Sequence, residues 1–304
     1  YSTDASQYTE MPLSVTKPKN KDDIKKIIAF ARENNTSLIP RGAGTSLAGQ
    51  VVGNGIVVDV SKYMNKIVEF NKDQNYVIVE PGAVLAELNL FLVEHGMQFG
   101  PETSTANRCV IGGMLGNNSC GLHSLVYGSV RQHVLEIDAI LSDGSETTFK
   151  ELSKEEFQDK LNGNPNQQEK AIYSNINDLL SDKQNRDEIL KNFPDPKLTR
   201  RNMGYAIDEL MYADPYTKSG GKFNFCKLLA GSEVTLAFST RIKLNIIPLP
   251  PKFKGLVCAH FETLEESLHA NLIALKYKPT AIELMDDPVM QAAKQNIEQA
   301  KNRF

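Results

Sequence analysis

The stretch IPRGAGTSLAG, Ile39 to Gly49, sets an arginine and three glycines directly behind a short apolar run. Glycines at 42, 44 and 49 let the backbone approach a ligand closely, so that successive N–H groups can converge on an anion. Thr45 and Ser46 add hydroxyls, and Ser46 is the better placed because it follows the glycine nest. Arg41 either adds charge near a phosphate or closes the turn at the surface. Two familiar phosphate sites are excluded by spacing. The dinucleotide fingerprint of a Rossmann unit needs its third glycine where Leu47 stands, and a P-loop running from Gly44 to Gly49 should continue into Lys and Ser or Thr, where the chain has Gln50 and Val51.

A second group of candidates lies in PETSTANRCVIGGMLGNNSCGLHSLVYG, Pro101 to Gly128. Small residues dominate it, its periodicity is weak, and it reads as a long irregular segment, which inside a compact domain is usually functional. Gly112 and Gly113 either admit a ligand or form a tight turn. Asn117, Asn118 and Ser119 either hydrogen-bond a ligand or satisfy the loop's own backbone. His123 and His133 have no partner at metal spacing and read as satisfied polar residues. The four cysteines, Cys109, Cys120, Cys226 and Cys258, form no C-x-x-C pair, so they read as reduced buried thiols, with Cys120 a packing residue, and no run could hold an iron–sulfur cluster.

These candidates need elements to position them. Ile24, Ile27, Ile28 and Ala31 recur at helical spacing behind Asn20 as N-cap, with Asp22 and Asp23 in the first turn, which predicts a helix over 20–34. Strands follow at 37–40 and 56–60 on either side of the glycine loop, a βα-type alternation. Runs at 66–70 and 76–80 read as a hairpin around NKDQN, and 84–95 as a helix closed by Gly96. Val134 to Leu141 reads as a strand with a return strand after SDGS, 152–192 as mostly helical, and 237–247 as a strand. Beyond PLPP the expected order is strand (256–261), helix (263–277), strand (281–285) and helix from Pro288, about half of an α+β domain.

The 304 residues are 41% hydrophobic and 23% charged, with a formal net charge of −3. At a pI near 6.0 there is no general basic surface for a nucleic-acid backbone. No apolar run is long enough to cross a membrane, and the N-terminus lacks the basic start and apolar core of a signal peptide. A cytoplasmic setting is the simplest expectation. The first residue is Tyr and the end reads as helix, so a piece of a longer chain is expected.

Taken in order, the loop at 41–46, the segment GG…NN…G…YG from Gly112 to Gly128 and LLAGSEVTLAFSTRIKL from Leu228 to Leu244 resemble the FAD-binding domain of the vanillyl-alcohol oxidase and p-cresol methylhydroxylase (PCMH-type) family over roughly residues 1–250. The resemblance implies an α+β fold with two subdomains, 1–61 and 62–250, FAD between them, and the start of a substrate-binding cap at 251–304. It implies cofactor contacts from Arg41, Gly42, Ala43, Gly44, Thr45 and Ser46 at the pyrophosphate. It implies further contacts from Pro101, Thr103, Gly112, Gly113, Asn117, Ser119, Gly121, Tyr127 and Gly128 along the flavin and pyrophosphate, and from a GSEGTL-type strand at the adenine end, with Glu233 and Ile242. Backbone donors suit a diphosphate because they desolvate it without burying many cations. Relatives that link FAD covalently through the first loop carry His where this chain has Thr45, so noncovalent FAD is implied. Val234 stands where the family usually has Gly: either the backbone there is ordinary β, or the adenine pocket is altered.

NNSCG…YG, RRNMGYAIDELM and FNFCKLLAGSE are most similar to the FAD-linked 2-hydroxyacid dehydrogenases, and shorter motifs to those fused to an iron–sulfur domain. The implied reaction is oxidation of a D-2-hydroxy acid such as lactate, glycolate or 2-hydroxyglutarate by hydride transfer to flavin N5. An electron acceptor or iron–sulfur domain, and a His/His/Glu metal site in the cap, are implied beyond residue 304. No catalytic base and no metal ligand are assigned within the chain. Arg201 and Tyr205 belong to the substrate side by resemblance, or serve as a solvated charge and an aromatic core anchor. The implied location is cytoplasmic, with peripheral membrane association left open. The alternatives are a non-catalytic flavin-binding or electron-transfer module, and an enolpyruvyl sugar-nucleotide reductase of the same fold.

Overall fold

In the computed structural model, which describes all residues except 164, 199, 202, 203, 219, 297 and 299–304, the first helix begins where its cap predicts. The Asn20 side chain accepts hydrogen bonds from the amides of Asp22 and Asp23, and helix α1 (Lys21–Glu33) buries Ile24, Ile28 and Ala31. Around it lies a three-stranded parallel sheet, β1 (Ser14–Thr16), β2 (Leu38–Arg41) and β3 (Ile56–Asp59). The order is β1-β3-β2. All four residues of β3 are buried, as expected of a central parallel strand covered on both faces.

The second sheet is antiparallel and six-stranded. It contains the predicted hairpin β4 (Ile67–Asn71) and β5 (Tyr76–Val79), followed by α2 (Leu85–Val93) and the short β6 (Met97–Gln98). Within Pro101–Gly128 the expected irregular segment proves partly helical, with α3 (Ile111–Asn117) and α4 (Ser124–Tyr127). Three glycines and seven residues give α3 little intrinsic helicity, which hid it. Its apolar Ile111, Met114 and Leu115 are buried, and packing holds it.

A short α5 (Val130–His133) leads into β7 (Val134–Ile140), β8 (Glu146–Leu152) and the helices α6 (Lys154–Asn162), α7 (Gln167–Ser181) and α8 (Lys183–Asn192). Then come α9 (Ile207–Met211), β9 (Phe223–Asn224), α10 (Cys226–Leu229), β10 (Phe238–Asn245) and β11 (Ile247–Pro248). The sheet order is β4-β5-β10-β7-β8-β9, and β6 pairs with β11.

Two cores result. The larger packs α2, α3 and α6–α10 on the six-stranded sheet, with an aromatic nest of Phe157, Tyr173, Phe223 and Phe225. The smaller joins the sheets: Ile24, Ile28, Val58, Val60 and Met64 meet Ile140 and Phe238.

After Pro250 the helices α11 (Leu264–Leu275) and α12 (Asp287–Gln295) form as predicted, but the strands expected at 256–261 and 281–285 do not. A strand needs a ladder partner, and among the described residues these runs find none. Their apolar side chains stand open: Leu256 and Val257 are each 89% exposed. Cys258 is exposed with them, unlike the buried Cys109 and Cys226, so the expectation of four buried thiols fails there.

Candidate functional site

The two sequence groups meet in one cleft between the sheets. Strand β2 delivers Arg41, Gly42, Ser46, Gln50 and Val51 to one wall. The opposite wall is one face of α3, Gly112, Gly113, Gly116 and Asn117, continued by Glu233 and Val234. Spacing of one, four and five residues sets these α3 positions on one side of the helix, while Ile111, Met114 and Leu115 face the core. The buried Val60 and Phe238 close the inner side.

The wall is shaped for close approach. A Cβ added at Gly113 would meet no protein atom nearer than Val110 Cγ2 at 3.8 Å, so it would project into the cleft. At Gly112 it would instead strike Pro81, with its carbonyl oxygen at 2.9 Å. At Gly113, then, a group in the cleft can approach the backbone with no side chain between.

Of the other predicted residues, Gly44 takes the left-handed backbone (φ +67°) that a nest requires, and its carbonyl accepts the Ala5 amide at 3.0 Å. Arg41 closes the loop: its guanidinium donates to the carbonyls of Thr3 (2.7 Å), Tyr1 (3.3 Å) and Val51 (3.4 Å). Carbonyls satisfy those donors without cancelling the charge, so both readings of Arg41 stay compatible. Ala43, Thr45, Pro101, Thr103, Ser119, Gly121, Tyr127, Gly128 and Ile242 do not line the cleft. Thr103 contacts Cys109 Sγ at 3.2 Å, Gly121 lies against the Glu102 backbone, and Tyr127 O accepts His133 Nε2–H at 2.7 Å. Ile242 is 0% exposed in β10, paired with Val79 and Ile137.

Asn118 satisfies the fold rather than the cleft: fully buried and left-handed at the end of α3, it accepts the Arg131 amide at 2.9 Å. Asn117 lines the cleft and its Nδ2 donates to Ser119 Oγ at 3.3 Å. His123 is gripped by Glu102, which accepts from its backbone N–H and from Nδ1. Burial pushes the His133 pKa down, and it likewise pushes the Cys109 thiol up.

The segment from Gly231 to Val234 is a turn leading into β10, not the expected strand. Glu233 (φ 51°) and Val234 (φ 62°) are both left-handed, so the backbone at Val234 is not ordinary β. Arg201 is no solvated charge: it pairs with Asp208 and, at 2.8 Å, with Glu209. Tyr205 is 50% exposed and so no core anchor. Asn202 and Met203 of the same motif lie outside the described residues. A larger groove along α1, β7, β8 and β10 holds none of the predicted site residues, and it contains two ion pairs, Lys21 with Glu146 at 2.8 Å and Lys160 with Glu169 at 2.7 Å.

Residues 12–150, which carry the glycine loop and the α3 face, match the FAD binding domain family. The chain carries an FAD binding domain. It is homologous to D-2-hydroxyglutarate dehydrogenase of Escherichia coli (strain K12), 35% identical over 299 residues that make up 97% of this chain and 28% of the relative. The glycolate oxidase subunit GlcD of Bacillus subtilis (strain 168) is 25% identical across 95% of this chain and 49% of its own length. The mitochondrial D-lactate dehydrogenase [cytochrome] of Kluyveromyces lactis is 31% identical over 144 residues, 46% of this chain and 25% of the relative. The chain therefore spans under a third of the length of the D-2-hydroxyglutarate dehydrogenases it matches.

A solved structure of alkyldihydroxyacetonephosphate synthase superposes with a TM-score of 0.54 at 16% identity, covering 88% of this chain and 38% of that one. The likeness is one of fold, the mixed α and β architecture of the FAD-binding domain. Among the described residues no helix is long and apolar enough to cross a membrane, and no group of three or more His, Cys, Asp and Glu could hold a metal.

Proposed function

We propose that the chain is the FAD-binding part of a cytoplasmic oxidoreductase that converts a D-2-hydroxy acid such as 2-hydroxyglutarate, lactate or glycolate to its 2-oxo acid. One observation carries the reading: the glycine loop and the glycine face of α3, far apart in sequence, form opposite walls of one cleft in a chain homologous to 2-hydroxyacid dehydrogenases.

In this reading the backbone amides of Gly42 and Ser46 and the charge of Arg41, which line the cleft, hold the pyrophosphate. Gly113, Gly116 and Asn117 lie along the flavin, and Glu233 and Val234 bound the adenine end. Ser119 holds the Asn117 side chain at that wall. Thr45 lacks the imidazole that links FAD at this loop in the covalent relatives, so the cofactor is held noncovalently. When bound, FAD would supply the hydride-accepting chemistry that turns the hydroxy acid into its 2-oxo acid. The chain's own part is to orient the ring and exclude water from its buried side. Residues 1–61 and 62–250 are the two halves of the FAD-binding unit, and 251–304 opens a cap. The groups that clamp the substrate, and the electron acceptor or iron–sulfur domain, belong to the remainder of the relatives' length.

The test is anaerobic titration. Protein carrying FAD, in the 304-residue form and in a form extended to the relatives' length, is mixed with D-2-hydroxyglutarate, D-lactate or glycolate, and the flavin absorbance is followed. Bleaching by one of them in the long form and its absence in the short form is the expected result. Bleaching by none in either form would leave only a flavin-binding module, and equal bleaching in both would put the substrate site within residues 1–304.

A further inference from the structure

Behind the 231–235 turn lies Arg131, a residue only 3% exposed that no motif singled out. Its guanidinium is surrounded by carbonyls: Nε donates to Lys227 O at 2.8 Å, Nη2 to Ala230 O at 2.6 Å and Gly204 O at 3.4 Å, and Nη1 to Arg201 O at 3.3 Å. Its own amide is bound to Asn118 at the end of α3. A guanidinium is a planar fork with donors in fixed directions. Meeting carbonyls from four places, it fixes Arg201, Gly204, α10 and the start of the turn against α3.

The turn so held is one its sequence disfavours, since a β-branched residue rarely takes left-handed backbone. Strain of that kind persists only where the surroundings over-determine it. Here they do. The Gly231 amide donates to Leu115 O at 2.9 Å and the Glu233 amide to Gly116 O at 2.8 Å, which ties the turn to the cleft wall. On the exposed side the Tyr205 hydroxyl contacts Thr235 Oγ1 at 2.5 Å. Neither Arg131 nor Tyr205 lines the cleft.

We infer that Arg131 from behind and the Tyr205 hydroxyl from in front are positioning residues for FAD, holding the turn in the strained form that aligns Glu233 and Val234 with the α3 face. The inference rests on FAD occupying this cleft.

The experiment measures FAD affinity by fluorescence titration of the apoprotein for the wild type, Arg131→Lys and Tyr205→Phe, and for each variant combined with Val234→Gly. Lysine keeps the charge but is a single point donor that cannot meet four carbonyls. Arg131→Lys weakens FAD binding by about tenfold and Tyr205→Phe by about threefold, the loss of a charged and of a neutral hydrogen bond respectively. Val234→Gly lets the turn take its left-handed form without strain, so it restores most of the lost affinity in both backgrounds. Urea unfolding of each apoprotein is measured alongside, since glycine at 234 also relieves strain in the fold as a whole; affinity regained beyond the change in unfolding free energy marks the turn itself. Wild-type affinity in both single variants, or losses that Val234→Gly leaves unchanged, overturn the inference. Should Arg131→Lys not fold, Tyr205→Phe and its double variant decide in the same way. A wild type that binds no FAD is a different failure, that of the cleft reading itself.

Discussion

Gly112 and Gly113 are neighbours in sequence, yet a methyl group on each would meet different surroundings. The cleft lies before one and the backbone of Pro81 before the other. Gly113→Val should therefore lower FAD affinity severely while thermal unfolding of the apoprotein stays close to wild type. Gly112→Ala should destabilise the fold itself by about 1–3 kcal/mol, the range for overpacking against an unyielding neighbour. Arg41→Ala should weaken FAD less than Gly113→Val, since water replaces one side chain more easily than it replaces a blocked wall. Equilibrium dialysis with FAD and a melting curve for each variant check the set, and equal FAD occupancy in wild type and Gly113→Val would sink the α3 assignment. Sequence alone picked out both glycines, but the direction of a missing Cβ depends on Pro81 and Val110, which chain order does not bring to mind.

Helix α1 is the clip between the two sheets. Its side chain Ile24, 0% exposed, reaches a cluster that contains Val58 of the parallel sheet and Ile140 and Phe238 of the antiparallel one. Ile24→Ala should cost about 3 kcal/mol, transfer plus cavity, in urea unfolding of the apoprotein. A loss under about 1 kcal/mol would mean the site collapses or the sheets are joined elsewhere. This element could be read from sequence because its signals are local: an Asn cap, two aspartates and a 3.6-residue period. For α3 those signals were absent, since Gly112, Gly113 and Gly116 are poor helix formers and only burial of the opposite face holds them helical. The error ran the other way at 256–261 and 281–285, where strand-like runs lack a partner among the described residues. The left-handed turn at Glu233–Val234 is the extreme case, because side-chain preference argues against it and only long-range hydrogen bonds impose it.

For the molecule as a whole, His133 sets an acid limit. It is 7% exposed and donates to Tyr127 O, and burial depresses its pKa below the ordinary value near 6.5. Below about pH 6.5 the unfolded chain takes up a proton that the folded one refuses, so the stability present at neutral pH is lost as the pH falls toward the folded pKa. The melting temperature should drop as the pH falls below about 6.5, and His133→Gln, which keeps a donor for Tyr127 O, should flatten that slope. An identical slope in the variant would assign the acid limit to other groups. The cleft too belongs to this scale, since its walls come from residues 40 to 239, and a linear reading names the motifs without showing that they converge. Phe238 belongs both to the cluster that joins the sheets and to the lining of the cleft. The two walls therefore cannot swing apart like the covers of a book without exposing that shared core.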